Sequence, residues 1–219
     1  MKKITIVDYG SGNVLSAQKS FIKIAKDNNI EVDVLISKKL NDVKNSTHIV
    51  LPGQGAFSTC MNGLKKTDGL IDELCEFALI KKKPFMGICV GMQMFAKMSE
   101  ENGVHEGLGW IDGKIKLLPG ENLKLPHMGW NFAIPTNSKH NNLISSKNDY
   151  YFVHSYYFDC VDKDNILAET KHGINFASIV GKENIYGVQF HPEKSSSQGL
   201  NLLKEFLEYE HVYTTKRKN

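Results

Sequence analysis

The sequence predicts an α/β protein: one domain with a mostly parallel central sheet, flanked by helices and extended by antiparallel edge strands. Three observations predict it. Short apolar runs bounded by glycine or proline alternate with amphipathic stretches as far as about residue 104. Beyond that point the segments read as strands joined by turns. The 219-residue length suits one core, which would bury roughly 70% of the surface that the unfolded chain exposes.

Ile4-Thr5-Ile6-Val7 reads as a short buried strand, stopped by Gly10, Ser11 and Gly12. Asn13 is placed to cap a helix whose apolar face comprises Val14, Leu15, Ala17, Phe21, Ile22 and Ile24. Strands follow at Val32 to Ile36 and His48 to Leu51, the latter broken by Pro52-Gly53-Gln54-Gly55. Leu70 to Ile80 has helical spacing, with Leu70, Leu74, Phe77 and Ala78 on one side. Pro84 to Ile88 is another apolar strand, and Val90 to Met98 reads as helix. Trp110 to Ile115, Phe132 to Ile134, Tyr150 to Phe158 and Ile174 to Gln189 read as the later strands. Residues 136–150, rich in Asn, Ser and Lys, suit a loop of variable length. A last helix, from about Ser197 to Tyr209, sets Leu200, Leu203, Phe206 and Leu207 on its buried side. No linker, repeat or low-complexity segment divides the chain.

Composition narrows the function. The 27 basic and 24 acidic residues leave a net charge of +3, too small and too scattered to suggest nucleic acid. Lys2 and Lys3 precede only the four-residue run Ile4 to Val7 before Asp8, whereas a signal core needs about 7–15. No stretch approaches the roughly 20 apolar residues of a membrane helix. Cysteines 60, 75, 89 and 160 form no CxxC pair, which points to free thiols in a reducing cytoplasm. No histidine or cysteine group has metal-ligand spacing.

The chemistry lies in two segments. In Gly87-Ile88-Cys89-Val90-Gly91 an apolar strand enters a Gly-x-Cys-x-Gly turn that opens a helix. This is the thiol form of a nucleophile elbow, which lifts the sulfur above the sheet. Alone, the pentapeptide is equally compatible with a buried structural cysteine. The second segment, Gln189-Phe190-His191-Pro192-Glu193, is a strand ending in a His-Pro-Glu step. A thiol needs an imidazole base within hydrogen-bond reach and a carboxylate to fix its tautomer. Cys89, His191 and Glu193 together make a full triad. His48, His105, His140, His172 and His211 read as surface or satisfied residues.

These two segments, with Asp8 to Asn13, Leu51 to Phe57, Pro126 to Asn131 and Tyr151 to Tyr156, are similar to the motifs of a known family. The chain resembles the class I (triad) glutamine amidotransferases, and among them the glutaminase subunits of imidazole glycerol phosphate synthase. The resemblance implies a glutamine amidotransferase domain over residues 1–211 and a basic, solvated tail over 212–219. It implies Cys89 as nucleophile, His191 as base and Glu193 as orienter, with no cofactor. An oxyanion hole is implied at Gly53, Gln54, Gly55 and Val90. L-Glutamine would be held by Gln93, Ser155 and Tyr156. Asn13, Trp130, Tyr151 and Lys194 match positions at the interface with a (β/α)8-barrel cyclase subunit in a heterodimer. Two other readings keep the same triad: a paralogue feeding ammonia to a different synthase, such as one aminating a sugar for surface polysaccharide, and a γ-glutamyl hydrolase without channelling. Trp130, Asn131 and Lys194 weigh for a docked subunit.

Overall fold

The computed structural model describes residues 1–120, 123–139 and 143–209. The expected tail at 212–219, His140 and His211 lie outside the described residues. The elements run β1 (Lys2–Val7), α1 (Val14–Asp27), β2 (Val32–Ser37), α2 (Leu40–Lys44), β3 (His48–Gly53) and α3 (Phe57–Lys65). Next come α4 (Leu70–Cys75), which continues as a π-turn over Glu76–Ile80, β4 (Phe85–Cys89), α5 (Val90–Gln93), β5 (Met98–Ser99), β6 (His105–Glu106) and β7 (Gly113–Leu117). The chain then forms β8 (His127–Pro135), β9 (Asn148–His154), β10 (Tyr156–Cys160), β11 (Ile166–His172), β12 (Ile174–Lys182), β13 (Ile185–Val188) and α6 (Ser196–Glu208).

The sheet order is β2-β1-β3-β4-β13-β12-β10-β7-β5-β6. Its first five strands pair in parallel, antiparallel pairings extend it through β12, β10 and β7, and β5 then joins β7 in parallel and β6 antiparallel. The parallel strands read as continuous apolar runs because both faces are covered: all six residues of β3 and all five of β4 are buried. A second arm, β12-β11-β8-β9, leaves the sheet and reaches the end of β13 from the side. Among the described residues no helix is long and apolar enough to cross a membrane.

The structure departs from the expected elements at particular places. On α1 the buried stripe is Ala17, Phe21, Ile24 and Ala25; Leu15 (61% exposed) and Ile22 (49%) sit beside it, one position off its i, i+3, i+4 spacing. The helix after Cys89 is a single turn rather than Val90 to Met98. Its continuation is blocked because the carbonyls of Met94, Phe95 and Ala96 accept from the N–H groups of Leu108, Ile111 and Gly109. Trp110 precedes its strand and packs on Phe85 and Phe95 instead. Tyr150 to Phe158 is two strands with a bend at Ser155, and Ile174 to Gln189 is also two. Leu200 is only partly buried, and Leu202 takes its expected place in the core. Helices α2 and α3 and strand β11 carried too little local periodicity to be read.

Candidate active site

The register of three neighbouring strands builds the site. Gly53 pairs with Cys89 across β3 and β4, and Ile88 pairs with Val188 across β4 and β13. All three strands are parallel, so their carboxyl ends share one rim. That rim therefore presents the 53–55 loop, Cys89 and the approach to His191 side by side, the usual ligand position in an open α/β sheet.

Cys89 turns sharply out of β4, with φ 56° and ψ −114°, a strained setting for a residue with a Cβ. Gly91 makes the turn possible. A Cβ there would lie 1.8 Å from the Leu51 carbonyl oxygen. His191 is extended (φ −103°, ψ 96°), as a residue before proline prefers, and Pro192–Lys194 then curl into a single 3-10 turn. Its backbone is clamped on both sides. Its N–H donates to the Tyr151 carbonyl at 2.9 Å, and its carbonyl accepts from Ser195 Oγ at 2.6 Å. Ser195 Oγ also accepts the Tyr151 N–H at 3.0 Å, so β9 holds His191 in place.

The triad assembles. His191 Nδ1 meets Glu193 Oε1 at 2.9 Å, which leaves Nε2 for the side-chain hydrogen bond to Cys89. Cys89 and His191 are both 4% exposed. Burial opposes charge on the imidazole, but the hydrogen bonds and charges of Cys89 and Glu193 outweigh it and raise the His191 pKa from 6.5 to about 9. Glu193 Oε2 is buried with no hydrogen-bond partner among the described residues, so the carboxylate's compensation comes from His191.

A cavity of about 300 Å³ opens onto the sulfur, lined by Gln54, Gly55, Cys89, Val90, Gln93, Glu101, Ser155, Tyr156, His191 and Lys194, among others. That is the small end of ligand pockets, which span roughly 300–1,000 Å³. Gln93 spends both amide hydrogens inside the protein, on the Tyr156 carbonyl (3.1 Å) and Gln189 Oε1 (3.0 Å), which leaves its Oε1 as the group to offer a ligand. The Gln54 N–H does not face the cavity. It donates to Ser11 Oγ at 3.2 Å, while Ser11 Oγ–H donates back to the Gln54 carbonyl at 2.7 Å. The Tyr9 hydroxyl also holds the Pro52 carbonyl at 2.6 Å.

Of the expected interface residues, Asn13 caps α1 through a hydrogen bond from Ser16 N, and Trp130 is 51% exposed beside Tyr151. Lys194 is exposed at the cavity mouth. Sequence reasoning missed two residues. Glu101 lines the cavity and accepts the Phe57 N–H at 2.7 Å. Gln189 sits between Gln93 and Cys89, its Nε2 3.9 Å from the sulfur. Gln189 was within a recognised motif; Glu101 stands in an acidic turn with no pattern around it.

Known proteins resemble this chain over most of its length. The family model for class-I glutamine amidotransferases matches residues 5–209. The imidazole glycerol phosphate synthase subunit HisH of Pelagibacter ubique is 46% identical over 93% of this chain and 98% of its own length. The subunit of the same name from Rhodospirillum rubrum is 40% identical over 94% and 99%. The glutaminase domain of Trypanosoma brucei CTPS, solved with bound acivicin, superposes with a TM-score of 0.63 at 15% identity, covering 97% of this chain and 96% of that one; it shares the fold. The chain belongs to the class I glutamine amidotransferases, within the HisH family.

Proposed function

We propose that this chain is the glutaminase subunit of an imidazole glycerol phosphate synthase, hydrolysing L-glutamine to glutamate and ammonia through a thioester on Cys89. The observation that carries the reading is the shared rim: nucleophile, base and oxyanion loop end three adjacent parallel strands around one small cavity. Cys89 Sγ attacks the side-chain amide carbon, and its proton passes to His191, whose raised proton affinity favours the transfer. Glu193 holds the imidazole in orientation. His191 then gives the proton to the departing nitrogen, and the carbon–nitrogen bond breaks to leave a γ-glutamyl thioester and ammonia. Water, deprotonated by the same histidine, releases glutamate and restores the thiol. In the pocket, Gln93 Oε1 accepts from substrate, Glu101 faces the α-ammonium, and the Ser155–Tyr156 backbone lines the amino-acid end.

The oxyanion needs donors, each worth about 3–4 kcal/mol of transition-state stabilisation. Val90 supplies one. The Gln54 N–H supplies the second once it leaves Ser11, so the resting arrangement is a slow enzyme. Gly53 and Gly55 flank Gln54 and permit the reorientation; Gly55 already has φ 88°. Ammonia released to open water would be protonated and lost, so the chain serves a partner, a (β/α)8-barrel cyclase that forms the imidazole ring. Met128, Trp130, Phe132 and Ile134 alternate along β8 and are all about half exposed or more, an apolar stripe suited to that docking. Glutamate release should be slow for the isolated chain and rise when the cyclase and its acceptor ligand are added. Equal rates in the two states would contradict the gated hole.

A further inference from the structure

Two buried histidines take no part in this chemistry. His127, 5% exposed, opens β8, and His154, 6% exposed, closes β9 directly opposite it. His127 Nδ1 and His154 Nε2 lie 2.9 Å apart. The direction of each proton follows from the ends of the group. Asn131 Oδ1 accepts the Phe132 N–H at 2.8 Å, so Nδ2 is the end that faces His127 Nε2 at 3.1 Å and the Lys171 carbonyl at 3.0 Å. An amide nitrogen only donates, so His127 Nε2 is bare and its proton sits on Nδ1. That proton goes to His154 Nε2. The His154 proton is then on Nδ1, where the Tyr156 carbonyl accepts it at 2.8 Å. Every donor meets an acceptor, and only this arrangement satisfies them all with both rings neutral.

The surroundings keep the pair uncharged. Burial, then the stacked His172 ring 4.2 Å away, lowers His127 to about 4. Burial lowers His154 to about 3, against the Tyr156 carbonyl and with His127, His172 and His191 acting in the same downward direction. Among the described residues no group of three His, Cys, Asp or Glu is placed to hold a metal ion. The chain of bonds ends at the cavity. The Tyr156 carbonyl accepts from both His154 and Gln93, and Ser155, the bend between β9 and β10, lines the wall that His154 spans.

We propose that His127 and His154 are positioning residues of the glutamine pocket: a neutral pair with one proton direction, set by Asn131 at the sheet surface, that holds the Ser155 bend and Gln93 in place. The inference rests on reading the cavity as a glutamine site. The hydrogen bonds of the two rings go to each other, Asn131 and the Tyr156 carbonyl rather than to Cys89, His191 or Glu193, so the pair acts on binding geometry rather than on the chemical step.

Two measurements on the full-length chain test it. Nitrogen-15 NMR of the wild type should show both rings as neutral Nδ1–H tautomers, unchanged between about pH 5.5 and 8, the window in which an ordinary histidine titrates. In steady-state glutaminase assays, His154→Phe should raise KM for glutamine about tenfold with kcat within about twofold. His154→Asn, whose amide nitrogen can still donate to the Tyr156 carbonyl, should recover most of that loss. Either ring titrating in that window, a proton on Nε2, or a loss confined to kcat and equal in the two variants would overturn the proposal. A wild type that does not turn over glutamine overturns the glutaminase reading and this inference with it. An active wild type with the wrong tautomers overturns this inference alone.

Discussion

His191 illustrates how much of the chemistry is local. One ring nitrogen faces the Cys89 sulfur and the other the buried Glu193 carboxylate, and the hydrogen bonds and negative charge of the two raise its pKa from 6.5 to about 9 despite burial. A raised pKa stabilises the fold fully below about 6.5 and loses that contribution as pH climbs through about 9. The stability margin of wild type over Glu193→Gln, on the order of 1–3 kcal/mol, should therefore be present at pH 6 and shrink by pH 9.5 in urea titrations. A margin that grows with pH would contradict the assignment. Ser11 carries a second residue-scale prediction. Removing a hydrogen bond worth about 0.5–1.5 kcal/mol should raise the basal glutaminase rate of Ser11→Ala about 2- to 10-fold, leaving the fully activated complex unchanged. Slower basal turnover would show that Ser11 supports the loop rather than restraining it. The triad was legible in the sequence because strand, elbow and His-Pro-Glu step each mark themselves locally. Glu101 was not, because the Phe57 N–H that it accepts is 44 positions away; Gln189, His127 and His154 lie inside the quoted motifs, but no role could be read for them because Gln93, Cys89 and the opposite histidine lie 27 to 100 positions away.

At the scale of elements, the elbow and its neighbours are one construction. Gly91 lets β4 turn directly beneath β3, with the Leu51 carbonyl where a side chain would begin. A methyl group there must push two buried strands apart. Gly91→Ala should cost about 3 kcal/mol or more and abolish glutaminase activity, read by chemical denaturation and by assay. Wild-type stability in that variant would mean that the turn accommodates a methyl group. The parallel strands were readable as apolar runs between turns. The length of α5 was not, since the residues that stop it, Leu108 to Ile111, belong to a loop that returns from later in the chain. Likewise α1 revealed its helical period, but Leu15 and Ile22 showed which face was buried only once α1 lay on the sheet.

For the whole molecule, the side arm is the informative departure from a plain doubly wound sheet. β9 clamps the backbone of His191, while β8 turns its alternate residues outward. One arm thus ties His191 to an exposed apolar stripe. Trp130 is at its centre, 51% exposed against Tyr151. Trp130→Ala should weaken association with the cyclase by about 2 kcal/mol, roughly 30-fold in Kd, with the basal rate of the free chain unchanged. Undiminished affinity by calorimetry would move the interface elsewhere. The family, and the strand ends that bring Cys89, His191 and Glu193 together, were thus readable from the chain itself. The pairing of this arm was not, because β11 and β8 meet between positions far apart in the chain, with β9 and β10 between them.

The most direct test is to identify the covalent intermediate. Wild-type chain mixed with glutamine, quenched in acid within one turnover and digested, should yield a single γ-glutamyl group on the peptide holding Cys89, and Cys89→Ala should yield none while remaining folded. An adduct on another residue, or glutamine turnover by Cys89→Ala at the wild-type rate, would contradict the proposed mechanism.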